Sequence, residues 1–296
     1  MEEPDALVVA RFRANRWHEE KRLPRTARAL RFSADGATVA WVQDDLDGTG
    51  IVPHGYVQHL TDTEPTALGA LGLRAHEAMG LAVAPDGRVV FLNAAGELVD
   101  STSHQVLNRG SQILFDEKGE PAYLDVKGCL FAPSLAVNGS PCDPALRPVD
   151  YLHGLLLARD NRGLIEIRTD SSLRVPLTDV VDARVRRHGE AVVVRRVDDH
   201  GKPAESVVLM HPDEALREAT RGAVIISATF DSDGGLLVIR RSVRKDIYEL
   251  LLAHAPDEFG GEALSGDAVR FTPVHLQESP VPGLEQKSVR ALFVAR

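Results

Sequence analysis

Short apolar stretches alternate with turn signals along most of the chain, and one phrase recurs. Arg31-Phe32-Ser33-Ala34-Asp35-Gly36 precedes Val39-Ala40-Trp41-Val42, and Leu81-Ala82-Val83-Ala84-Pro85-Asp86-Gly87 precedes Val89-Val90-Phe91-Leu92. Thr229-Phe230-Asp231-Ser232-Asp233-Gly234 likewise precedes Leu236-Leu237-Val238-Ile239. In each, an apolar strand meets a tight turn and a strand rich in β-branched or aromatic residues returns. Glycine supplies the positive φ that such a turn demands, so each copy predicts an antiparallel hairpin. Looser copies turn at Lys118-Gly119, His153-Gly154 and His188-Gly189. The landmark glycines therefore fall at 36, 87, 119, 154, 189 and 234.

Their mean spacing of about 40 residues, with only short strands between them, matches one four-stranded propeller blade per repeat. Further strands follow the turns, for example Ile165–Arg168 and Ile247–Leu252. The amphipathic helices that parallel βαβ units require are almost absent. One helix is expected over His211–Arg221, where Pro212 suits a first turn, Asp213 and Glu214 favour the positive helix end and Gly222 can stop it. The fold expected is all-β: a single β-propeller over residues 1–296 with four-stranded antiparallel blades, seven in preference to six. Leu7–Phe12 and Val289–Val294 both read as strands, and their pairing closes the ring. Segments 267–296 and 6–12 then form a composite last blade.

At Phe32-Ser33-Ala34-Asp35-Gly36 and Val83-Ala84-Pro85-Asp86-Gly87 the chain resembles the propeller repeats of TolB-like proteins and of prolyl oligopeptidase propeller domains. Their usual phrase is aromatic-Ser-Pro-Asp-Gly followed by an apolar strand. The Trp-Asp ending of WD-type repeats is missing, as are the export signal of a periplasmic TolB and the hydrolase domain of an oligopeptidase. What the resemblance implies is a fold, a toroidal platform for binding, and not an activity.

Composition narrows the classes further. Of the 296 residues 44% are hydrophobic and 26% charged, which suits a chain that buries a core and excludes disorder. Apolar runs such as Leu155-Leu156-Leu157-Ala158 fall far short of the roughly 20 residues that cross a bilayer. The N-terminus Met1-Glu2-Glu3-Pro4-Asp5 is acidic where a secretory leader carries positive charge, so a cytoplasmic location is expected. Cys129 and Cys142 amount to neither a disulfide framework nor a four-ligand zinc site, and both read as free thiols.

Charge is uneven. Residues 11–31 carry Arg11, Arg13, Arg16, Lys21, Arg22, Arg25, Arg28 and Arg31 against Glu19 and Glu20, an excess of six positive charges that leaves −15 elsewhere to reach the net −9. An acidic body repels a phosphate backbone, so nucleic acid is disfavoured as a partner. The basic stretch, with Trp17 in it, reads as a solvated loop or as a docking element for an acidic protein surface. The partner-binding candidates are Arg11, Arg13, Arg16, Trp17, Lys21, Arg22 and Arg25.

Catalytic motifs are missing. There is no phosphate loop and no Gly-x-Ser-x-Gly elbow; Gly139-Ser140-Pro141 lacks the second glycine. Asp45-Leu46-Asp47-Gly48-Thr49-Gly50 begins like a calcium loop, but Tyr56 stands where a bidentate carboxylate is required. Asp231-Ser232-Asp233-Gly234 reads as a turn. His18-Glu19-Glu20 and His76-Glu77 lack a second imidazole one helical turn on, and His153 and His188 occupy turn slots. No cofactor or metal is called for. The expected function is a non-enzymatic, cytoplasmic, bacterial protein-interaction scaffold or adaptor subunit of a multi-protein assembly. The alternative is a lactonase-like metal-dependent hydrolase, which requires acidic residues of three or more blades to converge at the channel. A ligand sensor using the channel as its pocket is a third reading; aromatic residues at 5% leave little material for stacking.

Overall fold

A computed structural model describes residues 6–274 apart from 14–15, 34–35, 49, 73–79, 170, 187–189, 212–214, 231–235, 242–247 and 254–271. β1 (Ala6–Arg13) and β2 (Arg16–Pro24) form a two-stranded hairpin. Antiparallel meanders follow in chain order. The first is β3 (Arg28–Phe32), β4 (Thr38–Asp47), β5 (Gly50–His59) and β6 (Thr66–Ala70). Next come β7 (Leu81–Val83), β8 (Val89–Leu92), β9 (Glu97–Asp100) and β10 (Val106–Phe115). The first half of β10 pairs with β9, and its second half pairs with β11 (Pro121–Asp125), which leads to β12 (Cys129–Ala132) and β13 (Val137–Cys142). One seven-stranded sheet is thus two four-stranded meanders sharing β10. Three more four-stranded sheets complete the series: β14 (Arg147–Leu152), β15 (Leu155–Asp160), β16 (Gly163–Arg168) and β17 (Ser171–Val175); β18 (Val180–Val185), β19 (Ala191–Asp199), β20 (Lys202–Met210) and β21 (Arg217–Gly222); and β22 (Val224–Phe230), β23 (Leu236–Arg241), β24 (Tyr248–Ala253) and β25 (Thr272–Val274).

All six landmark glycines lie between the first and second strands of successive meanders. Gly36, Gly87, Gly119 and Gly154 take φ of 67°, 83°, 80° and 72°, the left-handed region that the hairpin reading required of them; Gly189 and Gly234 lie outside the described residues. Aspartates lock several of these bends by accepting main-chain N–H groups two residues on, as Asp86 does from Arg88 at 3.0 Å and Asp116 from Lys118 at 2.9 Å.

Packing explains why the strands are apolar without alternation. β3 contacts β7, β7 contacts β10, and the series continues through β14, β18 and β22, so first strands lie beside first strands. Each sheet inside the series is therefore covered on both faces by its neighbours. In β15, Leu155 and Leu157 join the apolar cluster shared with β18–β20, while Leu156 and Ala158 join the cluster shared with β11 and β12. A strand buried on both faces reads as an unbroken apolar run. The β1–β2 hairpin packs Leu7, Val9 and Leu23 against Val39, Trp41 and Tyr56 of the first meander.

Three expectations change. Residues 215–222 are not helical: Arg217–Gly222 is β21, paired along β20 from Leu209↔Arg217 to Glu205↔Gly222. The open edge of a three-stranded sheet offers ladder hydrogen bonds that outweigh local helix signals. The cysteines are not free. Cys129 and Cys142 are register partners on β12 and β13 and form a disulfide with Cα atoms 3.9 Å apart. A 3-10 turn at Pro133–Leu135 brings their strands together. Much of the basic stretch is not a loop but the β1–β2 hairpin, whose pairing satisfies its main chain. β1 pairs along one edge with β2; residues 289–294, expected to pair with it as well, lie outside the described residues.

Candidate functional site

The first strands share a second feature. Register shifts interrupt the pairing of β3 between Arg28 and Arg31, of β10 between Gly110 and Gln112, and of β14 between Pro148 and Asp150. The same occurs in β18 between Val180 and Asp182, and in β22 between Ile225 and Ser227. A bulge adds a residue to one strand and re-aims the side chains that follow. In all five strands the residue after the shift is polar: Arg31, Gln112, Asp150, Asp182 and Ser227.

Several of these groups meet. Arg184 Nη1 lies 2.9 Å from Asp182 Oδ1 and also donates to the Ala183 carbonyl at 2.9 Å. The Val185 N–H donates to Asp150 Oδ2 at 2.7 Å, tying β18 to β14. Gln112 donates through Nε2 to the Pro148 carbonyl of the next sheet. Arg31, on the first meander, lies within electrostatic reach of Asp182 and Arg184 on the fifth, so the first strands curve round a common axis.

The cluster lies deep yet remains open to water. Arg184 and Asp182 side chains are 33% and 34% exposed, although burial is the leading influence on both. That combination describes charged groups set between packed strands and still reached by water. Burial pushes the Asp182 carboxyl up, opposed by Arg184 and Arg31 and reinforced by Asp150. Burial, followed by the like charge of Arg184, pushes Arg31 down to about 10, and it stays protonated at neutral pH. Burial works against the charged form of Arg184 too, but Asp182 and Asp150 hold it above its ordinary range. Two guanidinium groups thus face two carboxylates. Among the described residues no three His, Cys, Asp or Glu side chains stand close enough together to hold a metal ion.

A second region projects from the first meander. β4 and β5 pair continuously from Thr38↔His59 to Asp47↔Gly50, whereas β3 reaches β4 only as far as Val42. The free end of the hairpin is braced by polar contacts. Asp45 accepts from Tyr56 Oη, lies 2.8 Å from His54 Nδ1, and accepts from Gln43 Nε2 at 3.0 Å. The Tyr56 hydrogen bond leads the effects that hold Asp45 low, and the same bond, helped by burial, pushes the Tyr56 hydroxyl up to about 12. Arg28 pairs with Asp44. At the tip the cross-strand pair Leu46 and Ile51 is 84% and 70% exposed. The loop considered for calcium is therefore a hairpin end whose Asp45 is already engaged.

The basic candidates lie on the β1–β2 hairpin and just beyond it. Arg11 pairs in register with His18, and Arg13 with Arg16, next to the Phe12↔Trp17 pair, so Arg11, Arg13, Arg16 and Trp17 gather at the turn end. Lys21 donates to the Asp62 carbonyl, and Arg22 forms an ion pair with Glu19 at 2.6 Å; Arg25 follows β2. His153 sits in its turn with φ 50°, and its N–H donates to Glu117 of the neighbouring meander at 2.7 Å. Ser140 lies in β13. His188, His76-Glu77 and Asp231–Gly234 lie outside the described residues. The charged groups of the first strands form no linear motif. Their signal was a polar residue inside an otherwise largely apolar first strand, as in Arg28–Phe32, Arg147–Leu152 and Val180–Val185.

No protein-family model matches the chain, and no curated protein is similar to it in sequence. Solved structures are similar in fold. An acylaminoacyl peptidase bound to a chloromethyl ketone matches with TM-score 0.50 and 12% identity over 85% of this chain and 50% of its own. TolB from Acinetobacter baumannii matches with TM-score 0.46 and 13% identity, over 81% of this chain and 54% of its own. The β-propeller domain of the trilobed protease from Pyrococcus furiosus gives TM-score 0.41 and 10% identity, covering 84% of this chain and 97% of that domain. The chain spans about half the length of the first two. With the first-strand packing, the likeness to the peptidase defines an all-β propeller fold of four-stranded antiparallel sheets. Among the described residues no helix is long and apolar enough to cross a membrane.

Proposed function

We propose that this propeller is a non-enzymatic protein-interaction scaffold, an adaptor subunit of a cytoplasmic bacterial multi-protein assembly. The observation that carries the reading is the β4–β5 hairpin end, where side-chain hydrogen bonds hold two exposed aliphatic residues away from the sheets. A flexible tip would lose entropy on docking; a braced one loses less. The basic hairpin end with Arg11, Arg13, Arg16 and Trp17, followed by Lys21, Arg22 and Arg25, offers a second surface, suited to an acidic protein partner. In this reading residues 1–296 form one domain whose ring has seven units, the last a composite of residues 6–12 with the part of segment 267–296 that follows β25, since Thr272–Val274 completes the sixth sheet. A cytoplasmic location requires the Cys129–Cys142 pair to persist where thiols are usually kept reduced, so its state in the cell is a direct check on that part of the reading.

Purification of the tagged full chain from its native cells should bring down companions in fixed stoichiometry. Leu46→Asp with Ile51→Asp should lose them while the fold is kept. Recovery of the same companions by the double variant would sink the role given to the hairpin. Isolation of the chain alone, together with metal-dependent turnover of a lactone or phosphoester, would favour the alternative hydrolase.

A further inference from the structure

β13 is the outer strand of the third meander, and among the described residues it pairs along one edge only, with β12. Its hold there is slight. Val137 and Asn138 pair with Ala132 and Phe131 next to the 3-10 turn, and Cys142 pairs with Cys129 at the far end. Between those points Gly139, Ser140 and Pro141 face Leu130 alone, and proline has no N–H to give to a ladder. No residue of β13 is fully buried, so little apolar area anchors it. Past the cysteine the Asp143 N–H donates to the Gly128 carbonyl at 3.2 Å. The Cys129–Cys142 bond therefore secures the end of β13 that hydrogen bonds and packing hold least.

The bond is also within reach of a reagent. Cys142 is exposed and Cys129 half-buried, and access decides which sulfur a thiolate attacks. Cys142 Sγ lies 2.9 Å from the Gly139 carbonyl oxygen, an acceptor in place for the S–H that reduction creates. Gly139 in turn lies against Phe131, where a Cβ added to the glycine would stand 3.3 Å from the ring. Phe131 stacks on Tyr123 with ring centroids 5.2 Å apart. β13 thus covers both the outer edge of β12 and part of the Phe131 ring.

We propose that Cys129–Cys142 is a reversible thiol–disulfide exchange site, which a dithiol reductant opens at Cys142 and so releases β13 from β12. One thiolate of the reductant attacks Cys142 Sγ, the S–S bond of the protein breaks, and the Cys129 sulfur leaves and takes up a proton. The second thiol of the reductant loses its proton and attacks the first, the reductant's own S–S bond forms, and the Cys142 sulfur leaves and is protonated in turn. Two electrons pass from the reductant to the protein, and no other co-reactant is needed. With the bond gone, residues 139–143 lift from the sheet, and the β12 edge beside Phe131 becomes a surface that another strand can join. Exposed disulfides are the labile ones, and where thiols are kept reduced the disulfides that do form are mostly transient. The inference does not rest on the role given to the β4–β5 hairpin.

Hydrogen exchange of the full chain, read by mass spectrometry with and without dithiothreitol in native buffer, tests the proposal. Both cysteines should titrate as thiols without denaturant, exchange across residues 137–143 should rise about tenfold or more, and β15 and β16 should keep their protection. Replacing the reductant by oxidised glutathione should restore the closed pattern. Reduced glutathione followed by rapid alkylation should trap the mixed disulfide on Cys142. Cys129→Ser with Cys142→Ser should show the open pattern in either buffer. Thiols that appear only in denaturant, or that appear while residues 137–143 exchange as before, overturn the proposal. So does an adduct confined to Cys129. Loss of protection in β15 and β16 together with β13 overturns it too, because the bond is then a staple of the whole fold. None of these readouts involves a partner protein, so their failure leaves the docking role of the β4–β5 hairpin standing.

Discussion

Arg184 and Arg195 lie on adjacent strands of one sheet and meet opposite surroundings. Arg184 has Asp182 two residues earlier on its own strand and Asp150 on the next sheet, so its charge is neutralised where the first strands meet. Arg195 lines a cleft and has no such partner among the described residues. The difference separates a charge compensated within the fold from one without a partner among the described residues. Breaking a compensated buried pair strands the remaining charge, whereas removing an uncompensated group relieves a cost.

The largest effect should come from the compensated side. Arg184→Met leaves Asp182 and Asp150 facing Arg31 alone and should cost about 3 kcal/mol, read as a lower urea midpoint. Arg184→Met with Asp182→Leu should recover much of the loss, and failure to do so would mean that the pair is not the unit. The disulfide is a covalent counterpart of that closed pair. Cys142→Ser should cost about 2–3 kcal/mol in oxidising buffer and nothing under reducing conditions.

Asp160 sharpens the comparison through pH. Two hydrogen bonds from Arg174, at 2.7 and 2.8 Å, lead the effects that hold its carboxyl down to about 2. A carboxylate held low when folded contributes fully above its unfolded value of roughly 3.9, and that contribution is lost as pH falls towards 2. Wild-type stability should therefore drop between pH 4 and 2 by about 1–2 kcal/mol more than that of Asp160→Asn. Smallest of all should be Arg195→Met, within about 0.5 kcal/mol of wild type or slightly stabilising. A loss as large as that of Arg184→Met would erase the distinction between the two arginines.

The hairpin turns were legible because their chemistry is local. Gly36 and Gly87 need positive φ wherever the rest of the chain lies, and Asp86 caps its own bend. The apolar runs were legible as strands, although the reason Leu155, Leu156, Leu157 and Ala158 are all buried lies in the sheets on either side. Pro212, Asp213 and Glu214 gave a helix start, yet Arg217–Gly222 pairs with β20, because an unpaired sheet edge outweighs local preference.

The candidate sites were less legible still. Cys129 and Cys142 look unremarkable thirteen residues apart, and only the β12–β13 register makes them neighbours. Arg31 and Asp182 belong to different repeats, and no spacing along the chain announces that they come within electrostatic reach of each other. The sequence by itself determined the period, the turns and the all-β character, since each depends on backbone preferences within a few residues. Which charges are compensated, which cysteines bond and where a cleft opens were decided by the tertiary structure, because strand register and sheet packing set those distances.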